Sequence, residues 1–227
     1  MELDLCEATE LEPAGSRIRC AIRHGKRQDW PFPYWLLRDV LPPDLCQSAA
    51  SLRFAEPPVG ETGGKRETHN SQRIFVTPAN RHRYAACEAL AEAFQDEATA
   101  ALIEDVSGVS LAGSFLRIEC CRDTDGFWLE PHTDIGAKLF TMLVYLSAGA
   151  EAENWGTDIM DQGGTVLARA PGTINAGLIF IPGARTWHGF ARRPINGVRR
   201  SLIVNYVKPE WRSRHELAYP DQPVVTG

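Results

Sequence analysis

After Gly113 the sequence becomes a succession of short, β-branched and aromatic-rich segments: SFLRIEC, KLFTMLVYLS, TVLARA, TINAGLIFIPG, WHGFARR and RRSLIVNYV. Gly, Pro, Asn and Asp turns separate them. At least six short strands at regular spacing, after a helical first half, suggest a sandwich or a barrel. That texture constrains the fold more than any other feature of the chain.

The preceding half reads differently. Residues 1 to 29 are polar and weakly patterned, with a short strand expected at RIRCAI. A strand is expected at 34 to 40, then a helix from about Pro43 with Leu45, Ala49 and Leu52 on one face. Residues 56 to 72 are rich in Gly, Pro and charge, a loop long enough to be functional. Residues 80 to 105 predict one long helix, with an apolar stripe of Cys87, Leu90, Ala91, Phe94, Ala98, Ala101 and Leu102. The class expected is α+β, as a single domain over 1–227. Residues 1–112 form a helical and loop support region, 113–207 a β core, and 208–227 a tail.

Composition closes several routes. A formal net charge of −5, with basic residues only in short clusters, argues against a nucleic-acid partner. No apolar run is long enough to span a bilayer, and the acidic N-terminus lacks a basic region followed by an apolar stretch. Six cysteines without a CxxC pair read as free thiols, so a cysteine-ligated zinc site is not expected. The cytoplasm is the expected location. The sequence carries no mark of oligomeric state.

Two of the six histidines stand apart. His132 and Asp134 flank one residue in PHTD, just ahead of an apolar run. In extended backbone, side chains two apart point the same way, so the pair would converge on one point. Taken alone, a turn with a solvated carboxylate explains the triplet better. His188, in LIFIPGARTWHGF, follows an apolar strand and a Pro-Gly turn, 54 positions after Asp134; three or four intervening strands bring it back opposite the pair. Two imidazoles and a carboxylate with open positions left over match the facial triad of non-haem Fe(II) oxygenases. His24, His69, His82 and His215 lie in polar or loop surroundings and read as surface.

On RRSLIVNYV, Arg199, Ser201, Ile203 and Asn205 share one face of a strand. A guanidinium fork with a hydroxyl two residues on suits capture of a carboxylate, which beside a metal points to a chelating dicarboxylate.

With PHTD, KLFTMLVYLS, WGTDI, GLIFIPGARTWHGF and GVRRSLIVNY in this order, the chain resembles the 2-oxoglutarate and Fe(II)-dependent oxygenase superfamily, prolyl-hydroxylase-like branch, over roughly residues 113 to 207. The resemblance implies a double-stranded β-helix, the cupin-like jelly roll, with the N-terminal helices packed on one face. It implies Fe(II), 2-oxoglutarate and O2, with His132, Asp134 and His188 as metal ligands and Arg199 on the distal carboxylate of 2-oxoglutarate. Ser201 shares that face. Tyr145 matches a position where many members place a tyrosine against the same carboxylate, although a half-buried strand aromatic explains it equally well. Thr141, four residues earlier on its face, is a pocket candidate. Asp134 argues against a halogenase, which leaves that coordination position open. Two departures are plain: AENWGTD replaces the common Gly-Gly-x-Leu turn, leaving Asp158 without an assigned role, and an Arg stands where many collagen-type prolyl hydroxylases use Lys.

Three functions stay open on these grounds. The leading one is a hydroxylase of a small polar metabolite, releasing succinate and CO2 and needing no separate acid or base. The others are a protein side-chain hydroxylase and a cupin-like metal-binding barrel without oxygenase activity. Arg73, Arg117, Trp128 and Asn205 are the candidate substrate contacts, and residues 56 to 72 the candidate lid.

Overall fold

A computed structural model of the chain describes residues 13–53 and 71–227. The first element is a helix, α1 (Ala14–Arg23), where the sequence predicted a strand. Ile18, Ala21 and Ile22 are buried at helical spacing, and that stripe overrides the β-branched look of RIRCAI. β1 (Lys26–Gln28) and β2 (Tyr34–Leu37) precede α2 (Pro43–Ala50), whose Leu45 and Ala49 are buried as expected. β3 (Ser71–Phe75) opens the second described stretch. Most of the predicted loop at 56 to 72 lies outside the described residues, as does His69.

The single helix expected over 80 to 105 is three: α3 (Pro78–Arg83), α4 (Ala85–Gln95) and α5 (Glu97–Ser107). Tyr84 is extended, and Asp96 starts α5 by accepting a hydrogen bond from Thr99 N at 3.0 Å. The break resets the phase. Cys87, Leu90, Ala91 and Phe94 are buried as predicted, but α5 buries Thr99, Ala100 and Ile103, and Ala98 is exposed.

Eight strands follow: β4 (Phe115–Asp123), β5 (Leu129–His132), β6 (Lys138–Tyr145), β7 (Asp158–Met160), β8 (Val166–Arg169), β9 (Gly177–Phe180), β10 (His188–Phe190) and β11 (Arg199–Val207). They form two antiparallel sheets. The large one runs β1-β2-β9-β6-β11-β4-β3 and the small one β5-β10-β7-β8. The chain crosses between sheets at every step from β4 to β11 except the β7–β8 hairpin, which is jelly-roll winding. The described residues before 113 therefore supply three sheet strands as well as helices.

Side-chain alternation divides the large sheet into two faces. Leu116 and Ile118 on β4, Met142 and Val144 on β6, and Leu202, Val204 and Tyr206 on β11 pack against Ile18, Leu45, Leu90, Phe94 and Ile103 of the helices. The opposite face looks into the jelly roll. There Leu143, Tyr145, Leu178 and Phe180 meet Ile159 of the small sheet in a second core, and the same face carries the charged residues described below.

Cys46, Cys87, Cys120 and Cys121 are free thiols. Burial pushes Cys46 and Cys87 up to about 11 and Cys121 to about 12. Cys20 corrects the free-thiol expectation, because it is disulfide-bonded. Such pairing depends on proximity in the fold, which spacing along the chain does not show. No helix among the described residues is long and apolar enough to cross a membrane.

Candidate metal centre and its cavity

His132 ends β5 and His188 begins β10, and the two are direct cross-strand partners with ring centroids 4.2 Å apart. Asp134 follows in the loop after β5. One ligand atom from each of the three lies within 4.8 Å of the others, forming the one such cluster of three or more potential ligands among the described residues. Close approach of β5 and β10 requires Gly189, since a Cβ there would sit 2.7 Å from Leu129 O.

The imidazoles are held ready for a cation. His132 Nδ1 lies 2.8 Å from Glu130 O and His188 Nδ1 2.9 Å from Thr186 O. A carbonyl only accepts, so Nδ1 carries the proton and Nε2 keeps its lone pair. The Phe180 ring packs tilted against His188, 4.5 Å between centroids. Asp134 accepts from Lys138 Nζ and Thr141 Oγ1, each at 2.7 Å. Burial opposes its ionisation, but the Lys138 ammonium and these hydrogen bonds hold its carboxyl at about 2.

The cluster opens into a cavity of about 290 Å³. Arg199 and Ser201 line it from the start of β11, with Thr157 across from them. Arg199 donates Nε to Trp155 O at 2.6 Å and Nη1 to Asp123 Oδ2, which leaves Nη2 uncommitted to any described residue. Ser201 Oγ is buried without a hydrogen-bond partner. The Tyr145 hydroxyl donates to Thr157 Oγ1 at 2.9 Å and accepts from Thr157 N at 3.0 Å. Tyr145 thus stands behind Thr157 rather than in the cavity wall, and the Thr157 hydroxyl keeps its own proton to donate elsewhere.

Of the four candidate substrate contacts, Arg73 and Arg117 line the cavity and Trp128 and Asn205 do not. Trp128 lies under Arg192, its ring 5.1 Å from the guanidinium carbon. Asn205 is fully buried, donating to Thr141 Oγ1 at 2.9 Å and accepting from Arg117 at 3.1 Å. Thr141 therefore joins Asp134 to a polar network running into the wall.

That wall contains residues the sequence reading missed. Glu119 Oε1 accepts from Arg73 at 2.7 Å and Oε2 from Arg117 at 2.8 Å, and Glu216 Oε2 accepts from Arg117 Nε at 2.6 Å. Burial would raise Glu119, but Arg73 and Arg117 pull it down to about 2. Phe75 and Trp211 flank the Arg117 guanidinium at 4.6 and 5.3 Å. A signal existed for Glu119 and Asp123: on β4, Arg117, Glu119, Cys121 and Asp123 alternate with apolar Leu116 and Ile118. Asp158 is fully buried, accepting from Arg169 Nε and Arg193 Nη1 at 2.6 Å and from Ala191 N at 2.7 Å. It locks β7, β8 and the end of β10 together.

No known protein-family model matches the sequence, and no curated protein matches it. Solved structures do resemble the fold. A Trichoplax adhaerens prolyl hydroxylase, in complex with a hypoxia-inducible-factor peptide fragment, aligns over 88% of this chain and 91% of its own at 12% identity and TM-score 0.58. A Pseudomonas putida prolyl-4-hydroxylase aligns over 86% and 100%, at 16% identity and TM-score 0.56. A Burkholderia pseudomallei oxidoreductase of the 2OG-Fe(II) oxygenase family aligns over 86% and 91%, at 16% identity and TM-score 0.53. The chain has the double-stranded β-helix fold that these prolyl hydroxylases and this 2-oxoglutarate–Fe(II) oxygenase share.

Proposed function

We propose that the chain is a non-haem Fe(II)- and 2-oxoglutarate-dependent dioxygenase that hydroxylates an unactivated C–H bond of a small polar metabolite. The observation that carries this reading is the convergence of His132, Asp134 and His188 within 4.8 Å at a cavity that also holds Arg199 and an unpartnered Ser201 hydroxyl. The donor set fits Fe(II): two neutral imidazoles and a carboxylate kept ionised. When bound there, iron supplies the oxygen chemistry, in which O2 and 2-oxoglutarate yield succinate, CO2 and one oxygen atom for the substrate C–H bond.

The chain's own residues bind and position. His132 and His188 offer Nε2, and Lys138 and Thr141 hold the Asp134 carboxylate against rotation. Arg199 Nη2, Ser201 Oγ–H and Thr157 Oγ1–H are three donors suited to the distal carboxylate of 2-oxoglutarate, with Tyr145 positioning Thr157. Phe127, Leu129 and Phe190 give this end of the cavity apolar walls that keep water out. No acid or base is needed beyond the ligands.

A cavity of about 290 Å³ is at the small end of the roughly 300–1,000 Å³ typical of ligand pockets, which supports a small molecule over a protein side chain. The Trichoplax enzyme holds a peptide fragment, so a peptidyl substrate is the competing reading.

Anaerobic titration of the metal-free protein with Fe(II) and 2-oxoglutarate tests the proposal. The weak visible charge-transfer band of the chelate is expected. In Arg199→Ala, 2-oxoglutarate should bind roughly 10- to 100-fold more weakly, the loss of a charge-assisted hydrogen bond. Bound metal with no band would leave a metal-binding barrel instead.

A further inference from the structure

The wall formed by Arg73, Glu119, Arg117 and Glu216 supplies no metal ligand and no donor to 2-oxoglutarate, and reaches Asp134 only indirectly, from Arg117 through Asn205 and Thr141. Four ionised groups on a cavity wall are also a poor route to stability, since apolar side chains of similar volume usually do as well or better. From this wall we infer that the substrate is a small zwitterion carrying a carboxylate and an ammonium group, of the size of a free α-amino acid. The inference rests on the oxygenase reading and narrows its substrate.

Charge balance is the first ground. Among the described residues, Arg73, Arg117, Lys138 and Arg199 are the cationic side chains lining the cavity, and Glu119, Asp123, Asp134 and Glu216 the anionic ones, so their formal charges cancel. Fe(II) and the 2-oxoglutarate dianion also cancel. A substrate of net charge would sit uncompensated in a partly dry site, at high cost. A zwitterion would not.

The ends of the wall are the second ground. Its charges alternate along a chain of hydrogen bonds, Arg73 to Glu119 at 2.7 Å, Glu119 to Arg117 at 2.8 Å, and Arg117 to Glu216 at 2.6 Å. At one end Arg73 Nε is a buried donor with no partner. At the other, Glu216 Oε1 takes no hydrogen bond from a described residue, its Oε2 being held by Arg117. An unmet cationic donor and an unmet anionic acceptor, on one wall, match a carboxylate and an ammonium. Between them Arg117 is fixed by two carboxylates and by Phe75 and Trp211, whose rings line the same space and suit an apolar side chain.

The test uses the full chain loaded anaerobically with Fe(II) and 2-oxoglutarate. The probes are the twenty standard free α-amino acids, their N-acetyl and C-amide derivatives, and short proline-containing peptides. Binding is read as a change in the charge-transfer band and a rise in Tm, then as stimulated succinate formation. At least one free amino acid should bind tenfold or more tightly than either of its capped forms. Arg73→Gln should abolish the preference for free acid over amide, and Glu216→Gln the preference for free amine over N-acetyl. If Arg73→Gln does not unfold cooperatively, Glu216→Gln alone decides. Binding of capped forms or peptides equal to or tighter than free amino acids, or of no amino acid in the set, overturns the zwitterion subsite while the band stands. Bound iron without a band removes the oxygenase reading and the subsite with it.

Discussion

Thr141 shows how much of the candidate centre depends on residues that would never touch a metal. Its hydroxyl donates to Asp134 and accepts from Asn205, and its backbone lies in the middle of β6. Thr141→Val keeps the shape and removes both hydrogen bonds. Partners of this kind typically contribute 10- to 100-fold to metal affinity, so the variant should bind Fe(II) more weakly by that factor in a competitive chelator titration, with its 2-oxoglutarate end unchanged. His132 and Asp134 stood out in the sequence by their His-x-Asp spacing, His188 by its place after an apolar strand and a Pro-Gly turn, and Arg199 by strand alternation on RRSLIVNYV. Glu216 did not. It reaches Arg117 across 99 positions from a tail without pattern, and nothing local marks such a contact.

Helix and strand boundaries show where periodicity misleads. The stripe from Cys87 to Leu102 reads as one helix, yet Asp96 both caps α5 and pairs with Arg19 at 2.6 Å. Asp96→Ala should cost about 1–2 kcal/mol in urea denaturation, chiefly the lost cap, since the exposed ion pair adds little. β5 and β7 were missed for a different reason. They are four and three residues long, too short for alternation to register, although one presents His132 and the other Asp158. The longer strands β4, β6 and β11 were found readily. A segment of three or four residues takes its conformation from the partner that it pairs with, as β5 does from β10.

For the molecule as a whole, the buried charge network links stability to pH. Glu119 falls from its ordinary 4.5 to about 2 in the folded chain. Its contribution is therefore present above pH 4.5 and lost as pH drops toward 2, on the order of 3 kcal/mol. Thermal unfolding from pH 5 to pH 2.5 should show a steep fall in Tm. Glu119→Gln should start lower, having left Arg73 and Arg117 without their carboxylate, and lose less over the same range. The large sheet that carries this network also sorts its side chains in a way that numbering makes plain. On β3, β4, β6 and β11 the strands are paired in a register that keeps odd beside odd, up to a shift between Tyr206 and Val207 that sets Val207 beside Lys138. Odd positions such as 73, 117, 119, 141, 199 and 201 face the chemistry, and even ones such as 116, 118, 142, 202 and 204 hold the helices. A mutational library confined to odd numbers could rewrite what the cavity accepts while the scaffold behind it stays as it is.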